Sequence, residues 1–474
     1  MELHRATRSL FASATLAASA AMVPAALRAQ AFGLNEIGSC AVSRAFANTA
    51  SPCKDPSSIY WNPAATMSLS GWSISGGVAA INVNGSFTQD TTRRTFDADL
   101  PTEWVPHFFL NYHNPNSKFA WGIGAYVPYG LTSEWTDSFP GRFSAKKASL
   151  RTLYVQPNIA YQISPNWSVG GGPIWGHSSV ELIQSLDLAG ITAGDPPAPT
   201  FGNLGIAAGT EFARLRLKGN ADAIGAQIGI QGKPRPDWTI GARFLTPLEF
   251  KYDGADATFT QVPTNLVVGG SLTPPFVAGT PIDSILAPQF RQGGPLVNQN
   301  ADTKVTHPAQ VQAGVAYSGF KDWLLEADYA WVGWKRFDVL PVTFNGAASE
   351  QSRVLLENYN NSSAIRLGAE YTTKYNGLKL RGGFAGVASA APDETVTPLL
   401  PEQDRRYWTL GFGLPFWSTW ALDGAYAHIG TGGARGRIVE RTTTQNATAT
   451  ADQLNSGVFD LSANIFSITL RAFF

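Results

Sequence analysis

Trp323-Leu324-Leu325-Glu326-Ala327-Asp328-Tyr329-Ala330-Trp331, read as an extended chain, puts Trp323, Leu325, Ala327, Tyr329 and Trp331 on one face and Glu326 and Asp328 on the other,. Burying such a charged face in the core of a soluble sandwich is costly. A closed barrel in a membrane has room for both faces: aromatic side chains meet lipid, and carboxylates meet arginine across a polar lumen. The pattern recurs downstream. Ile365, Leu367, Ala369 and Tyr371 oppose Arg366, Gly368 and Glu370, and Leu378, Leu380 and Phe384 oppose Lys379 and Arg381.

Working outward from these segments, period-two alternation predicts fourteen strands, at about 71–84, 104–113, 118–128, 149–163, 166–180, 214–231, 236–250, 303–318, 321–336, 360–373, 377–388, 405–414, 419–429 and 460–474,. The number is even, as a bacterial single-chain barrel requires. Short connections carry turn chemistry, as in Asn114-Pro115-Asn116, Ser164-Pro165-Asn166 and Tyr375-Asn376-Gly377,. Trp167, Trp238 and Trp323 follow such turns, where an aromatic girdle at the membrane interface needs them,. The long connections near 181–213, 251–302 and 430–459 are rich in Gly, Pro, Ala, Thr and Asn and are expected on the opposite, extracellular side, which puts both termini in the periplasm,. The expected fold is therefore all-β: a fourteen-stranded antiparallel transmembrane barrel at 71–474.

Composition agrees. Charged residues are 15% and aromatic residues 12% of the chain, and mean hydropathy is near zero, because lipid-facing and lumen-facing residues average out,. After the first segment no run of 18 apolar residues occurs, which excludes a helical membrane protein,. Arg5 and Arg8, the apolar stretch from Leu10 to Val23, and Ala29-Gln30-Ala31 read as a secretory signal at 1–31, cleaved after Ala29 or Ala31,. Its removal leaves 32 basic against 34 acidic residues, a formal net charge of −2, with no field suited to nucleic acid,. The two cysteines of the exported chain, Cys40 and Cys53, allow one disulfide; two unpaired thiols are the alternative,.

Residues 32–70 are too few to bury a core of their own. They are expected to form a plug, or hatch, inside the barrel, where a polar lumen satisfies irregular backbone; a disordered leader is the alternative. The end of the chain adds a signal: Phe466, Ile468, Leu470, Ala472 and Phe474 alternate with small and polar residues and finish on an aromatic ring. That resembles the signal by which the barrel assembly machinery recognises its clients.

Phe32-Gly33-Leu34-Asn35-Glu36 and Tyr60-Trp61-Asn62-Pro63-Ala64 resemble the N-terminal hatch of the FadL family of fatty-acid and hydrocarbon channels. Similarity extends through Trp104-Val105-Pro106, Trp121-Gly122-Ile123-Gly124, Pro128-Tyr129-Gly130-Leu131, Asp328-Tyr329-Ala330-Trp331-Val332-Gly333-Trp334 and the stretch from Thr397 to Arg406. The resemblance implies an outer-membrane channel for hydrophobic compounds, long-chain fatty acids first and uncharged aromatic hydrocarbons as the alternative. It implies capture by loops near 181–213 and 251–302, an inner pocket touching Phe32 and Leu34, and lateral exit through a kink in the third strand. On that implication Asn62, Pro63 and Ala64 sit against the kink, and Gly122 and Gly124 lie in the strand that bends. Such a channel would be a monomer in outer-membrane lipid and lipopolysaccharide.

Arg243, Arg366, Lys379 and Arg381 could hold a ligand carboxylate; as wall struts they would instead pair with Glu326, Asp328 and Glu370. No metal ligand set, cofactor motif or nucleophile motif is present: His107, His113, His177, His307 and His428 are scattered along strands, without H-E-x-x-H or G-x-S-x-G,. A lipid hydrolase and an aqueous porin remain as rival readings, the second disfavoured by the plug.

Overall fold

Period-two alternation demands a sheet with two unlike faces, and in the computed structural model of the chain that sheet closes on itself. The structure describes residues 32–193, 199–269, 277–347, 349, 352–392, 395–436 and 456–474; the expected signal peptide lies outside them. Fourteen strands form the wall: β1 (Gly71–Gln89), β2 (Glu103–His113), β3 (Phe119–Tyr126), β4 (Lys147–Ser164), β5 (Trp167–Asp187), β6 (Glu211–Arg235), β7 (Trp238–Leu245), β8 (Gln310–Tyr317), β9 (Trp323–Val332), β10 (Ser362–Thr372), β11 (Lys379–Val387), β12 (Arg405–Phe416), β13 (Trp420–Thr431) and β14 (Gly457–Phe473). Each pairs antiparallel with the next, and β14 returns to β1 in register from Ser73↔Phe473 to Gln89↔Gly457. Closure leaves no free edge over those seventeen rungs, as a wall surrounded by hydrocarbon requires,.

The two faces are those expected. In β9 Trp323, Leu325 and Tyr329 are exposed while Glu326 and Asp328 are buried, and in β14 Phe466, Ile468 and Leu470 face outward against Ser467, Thr469 and Arg471. Trp72, Trp121, Trp167, Trp238 and Trp323 stand outward near the short turns, and Trp104, Trp175 and Trp408 stand outward nearer the long connections, which marks an apolar band between two aromatic girdles.

Several strands outrun the lengths read from the sequence. β5 and β6 extend to Asp187 and back to Glu211, and further extended segments, Leu248–Gln261 and Gln299–His307, prolong β7 and β8. The segments 181–213 and 251–302 are therefore largely strand at their ends, and the true connections shrink to 188–210 and 262–298. Of the connection at 430–459, residues 437–455 lie outside the described part.

Residues 35–50 and 55–66 are buried without exception inside this wall. The hatch has little regular structure: helix α1 (Ser39–Ser43), helix α2 (Ser58–Trp61), a 3-10 turn at Pro63–Ser68, and a disulfide joining Cys40 to Cys53 across a Cα–Cα distance of 6.2 Å. With so few internal hydrogen bonds its backbone must find partners on the wall. Asp328 Oδ2 accepts from the N–H groups of Asn48 (2.8 Å) and Thr49 (2.9 Å), and Glu326 Oε1 from those of Ala50 (2.8 Å) and Ser51 (3.0 Å). Arg44 Nη1 stands 3.6 Å from Glu326.

This corrects the expectation that Glu326 and Asp328 brace the wall arginines. Of the expected struts, only Glu370 makes its pairs, with Lys379 (2.5 Å) and Arg381 (2.7 Å), and Arg381 continues to Asp423 (2.6 Å). Arg366 turns to the hatch, donating to Asn35 Oδ1 at 3.1 Å. Arg243 donates to Gln310 at 3.0 Å and lies 4.4 Å over the ring of Tyr60. Alternation determines that these side chains face inward; it says nothing of which donor they meet there.

A hydrogen bond contributes about 0.5–1.5 kcal/mol net. Glu326→Ala with Asp328→Ala removes the acceptors of all four N–H groups, so the hatch should loosen by on the order of 2–6 kcal/mol while the barrel still inserts. Planar-bilayer conductance in potassium chloride should rise in that double variant. Conductance equal to the parent's would show that the four N–H contacts do not hold the hatch. The Cys40→Ser, Cys53→Ser variant, freed of a loop closure worth roughly 3 kcal/mol, should show faster proteolysis within 40–53 at unchanged heat-modifiable mobility. An unchanged cleavage rate would deny the disulfide that role.

Candidate functional site

The ladder between β2 and β3 stops early. Tyr126, opposite His107, is the last residue of β3 paired to β2; the chain resumes as Gly130–Glu134 paired to β4 alone. Against β4, Val127, Pro128 and Tyr129 occupy the space between the Tyr126↔Tyr154 and Gly130↔Arg151 pairs, where the partner supplies only Thr152 and Leu153. One extra residue makes this a bulge. Proline explains its position. Pro128 has no N–H to give, and Pro106, the β2 residue next beyond His107, has none either, so a regular ladder cannot continue there,. Thr152 Oγ1 donates to Tyr129 O at 2.5 Å and holds the bulged carbonyl.

Beyond the bulge the wall closes again. Asp99 N donates to Glu134 O at 2.8 Å, Ala98 bridges Trp135, and Thr132 Oγ1 donates to Glu103 Oε1 at 2.7 Å. A window results, with Glu103–Pro106, paired to β1 only, on one side and Val127–Tyr129 on the other. Trp104, 65% exposed, stands on its outer rim.

The start of the hatch crosses the inner side of this window. Leu34 N donates to Pro128 O (2.8 Å), Gly130 N donates to Phe32 O (3.0 Å), and Gly33 bridges Tyr129. The ring of Phe32 is boxed edge-on by Trp334 (4.6 Å), Phe337 (5.5 Å), His307 (5.8 Å) and Tyr129 (6.0 Å). Behind it lies a cavity of about 160 Å³ whose lining includes Phe32, Leu34, Ile81, Leu131 and Trp135. Glu36, Glu402 and Arg405 also line it, and Arg405 donates to Glu402 at 3.1 Å. Burial pushes the Glu36 carboxyl above its ordinary value; hydrogen bonds from the backbone N–H groups of Glu36 and Asn35 and the charges of Arg405 and Arg366 draw it part of the way back.

Two expectations need correcting. Gly122 and Gly124 do not carry the interruption: both sit in regular pairing, opposite Asn111 and Phe109 in β2. A Cβ on Gly122 would stand 2.5 Å from Leu110 O and 2.9 Å from Ile59 Cδ1, and one on Gly124 would stand 2.6 Å from the Phe109 ring. Their smallness makes room for α2. Nor do Asn62, Pro63 and Ala64 lie at the interruption. Asn62 Nδ2 donates to Thr49 O (2.9 Å) and Ile230 O (3.0 Å), Ser168 Oγ donates to Ala64 O (3.1 Å), and Pro63 O would meet a Cβ on Gly170 at 2.6 Å. The motif packs on β5 and β6. Its link to the third strand runs through the preceding helix, where Tyr60 lies 5.0 Å from Tyr126. Sequence reasoning passed over Pro106 and Pro128, although a proline inside a reading of continuous strand is itself the sign of a bulge.

The two connections expected to capture ligand are closed over apolar side chains. Leu188, Phe201, Ile282 and Leu286 are buried, and Phe212 meets Phe290 edge-on at 6.4 Å; residues 194–198 and 270–276 lie outside the described part.

With this geometry in hand, known proteins can be compared. The profile of the family described as outer membrane protein transport protein (OMPP1/FadL/TodX) matches residues 20–474. A long-chain fatty acid transport protein of Escherichia coli O6:H1 is 23% identical over 93% of this chain and 95% of its own. Outer membrane protein P1 of Haemophilus influenzae is 23% identical over 96% and 99%. Among solved structures, a Pseudomonas aeruginosa FadL homologue superimposes with a TM-score of 0.75 at 20% identity, covering 94% of this chain and all of that one. The Ralstonia pickettii toluene transporter TbuX does so with a TM-score of 0.61 at 17% identity, covering 94% and 99%. At such identities the superpositions speak for the barrel, and the family match speaks for the chain: it belongs to the OMPP1/FadL/TodX family of outer-membrane transport proteins for hydrophobic compounds.

Proposed function

We propose that this channel takes up long-chain fatty acids by capture at the connections 188–210 and 262–298, passage into the cavity beside Phe32 and Leu34, and lateral exit through the window of the third strand into the outer membrane. The observation that carries the reading is the window itself, an interruption of the wall beside a largely apolar cavity and crossed on its inner side by the extended segment Phe32–Leu34. Burial of a methylene contributes about 0.8 kcal/mol, so a long chain leaving through a wet lumen would forgo on the order of 10 kcal/mol. A sideways step into lipid avoids that loss. The fatty-acid assignment draws on the long-chain fatty acid transport proteins of Escherichia coli and Salmonella typhi to which the chain is similar. In this reading the protein is a monomeric channel and not a lipid hydrolase, the termini are periplasmic, and residues 1–31 are a cleaved signal.

One observation favours uncharged aromatic hydrocarbons as a second reading. Within the cavity lining, Arg405 already donates to Glu402, and Glu36 adds a second carboxyl group, a setting that offers a ligand carboxylate little net attraction. Competition between oleate and toluene for the purified channel separates the two.

Deleting Pro128 makes the residue counts of the third and fourth strands equal and restores the ladder between them, and Pro106→Val added to it returns the missing N–H to β2. Uptake of labelled oleate by cells with equal amounts of folded barrel should then fall at least tenfold. Uptake at the parental rate, with the wall shown to be regular, would leave passage through the lumen as the better account.

A further inference from the structure

A second cavity lies on the other side of Phe32. It measures about 80 Å³ and is lined by inward side chains of β4, β5 and β6, by Val305 and Val342, and by Leu399. Its lining is mainly aliphatic, with Ser149, Thr303 and Glu181 at its edge and Glu181 paired to Arg216, whereas the cavity beside the window carries Glu36, Glu402 and Arg405. Three residues line both: Phe32, Leu131 and Leu400.

We infer that Leu400, closing against Phe32 and Leu131, is a specificity-determining waist between an apolar entry chamber and the chamber beside the window. The inference rests on the window being the exit. Its three corners come from distant parts of the chain, yet each is fastened to the segment just after the bulge. Phe32 O accepts from Gly130 N. Leu131 belongs to that segment. Leu400 rides on a connection whose Pro398 O accepts from Ser133 Oγ (2.5 Å) and Trp135 Nε1 (3.2 Å), with Trp135 stacked on Phe139 at 4.2 Å. Loop, wall segment and hatch therefore keep their spacing while Phe32, Leu131 and Leu400, all side chains with rotatable bonds, line both cavities.

Size decides what the waist does. A cavity of roughly 150 Å³ accepts one benzene ring. The chamber beside the window is of that size and the entry chamber about half of it, so neither encloses a long chain. A long ligand must lie across both chambers, past Phe32, Leu131 and Leu400. Rotation of Leu400 about its side-chain bonds passes an unbranched chain; a cage or branched body needs all three residues to retreat together, against rings that box Phe32 in. The waist selects by cross-section, and the polar lining beyond it selects by head group.

The test compares initial uptake of labelled dodecanoic acid and of 1-adamantanecarboxylic acid, which share a head group and differ in width, by cells with equal amounts of heat-modifiable barrel, each corrected for cells without the channel. The parent should favour dodecanoic acid at least tenfold. Leu400→Ala should narrow that preference to under threefold by raising the rate of the wide acid, and Leu131→Ala should do the same, so the result does not hang on one variant. Leu400→Trp should slow dodecanoic acid at least tenfold. Unchanged preference in both alanine variants, or an equal fall of both rates, would overturn the waist. Should the parent carry neither acid above background, the uptake function proposed above fails with it; should deletion of Pro128 with Pro106→Val abolish uptake while Leu400 variants behave as the parent, only the waist fails.

Discussion

Every peptide group of a wall in hydrocarbon must find a partner within the protein, because lipid offers none. Most of this barrel satisfies that constraint by unbroken pairing, including the closing seam of β1 and β14. Pairing lapses between β4 and β5 at Gln156–Asn158 opposite Gly172–Ile174, where Pro157 and Pro173 stand; the bulge of the third strand is the break that meets the hatch at Phe32–Leu34, and the way it is tolerated organises that side of the molecule. Two prolines, Pro106 and Pro128, remove donors that would otherwise be stranded, Thr152 caps the carbonyl of Tyr129, and the segment Phe32–Leu34 supplies partners from inside. Hatch and window are thus one device. The wall can be interrupted because the hatch begins there.

Holding the hatch raises the same question in a different place. A segment with two helices of four and five residues cannot satisfy itself. The lumen answers with two carboxylates aimed at four consecutive N–H groups, from Asn48 to Ser51, far from the window. The middle of the hatch is therefore anchored to β9 by four hydrogen bonds, while Phe32–Leu34 rests on two backbone hydrogen bonds and the packing of one phenyl ring. On the proposed route, that division would let Phe32–Leu34 leave the window while the rest of the hatch stays in the barrel.

Much of this was legible in the sequence, for a physical reason: a wall between lipid and lumen imposes period two on every strand, so the fourteen strands could be found from Trp323-Leu324-Leu325-Glu326 and its counterparts. Inward orientation of Glu326, Asp328, Arg366 and Arg381 followed from the same period. Their partners did not, since the donors at Asn48 to Ser51 are backbone groups that carry no mark of residue type. The interruption was placed on Gly122 and Gly124 because glycine tolerates unusual backbone, but there glycine serves the approach of Ile59, and the break falls on Pro128, four residues beyond Gly124. Strands five to eight were read short because at their outer ends the apolar residues, such as Leu215, Leu217, Phe250 and Tyr252, point inward while Arg216, Lys218 and Lys251 face out, the reverse of the pattern beside lipid. Phe32, Leu131 and Leu400 meet only in three dimensions.

The central claim, that ligand leaves through the wall where Phe32–Leu34 now lies, is tested most directly by photolabelling. A long-chain fatty acid with a diazirine at its tail would be bound to the purified channel in lipid nanodiscs, irradiated, and the adducts mapped by peptide mass spectrometry. Adducts should concentrate on Phe32–Leu34 and on the two rims of the window, 103–106 and 127–131. Adducts confined to the lower hatch around Asp55 and to Arg471 in β14, with none on either rim, would contradict it and direct the path down the lumen.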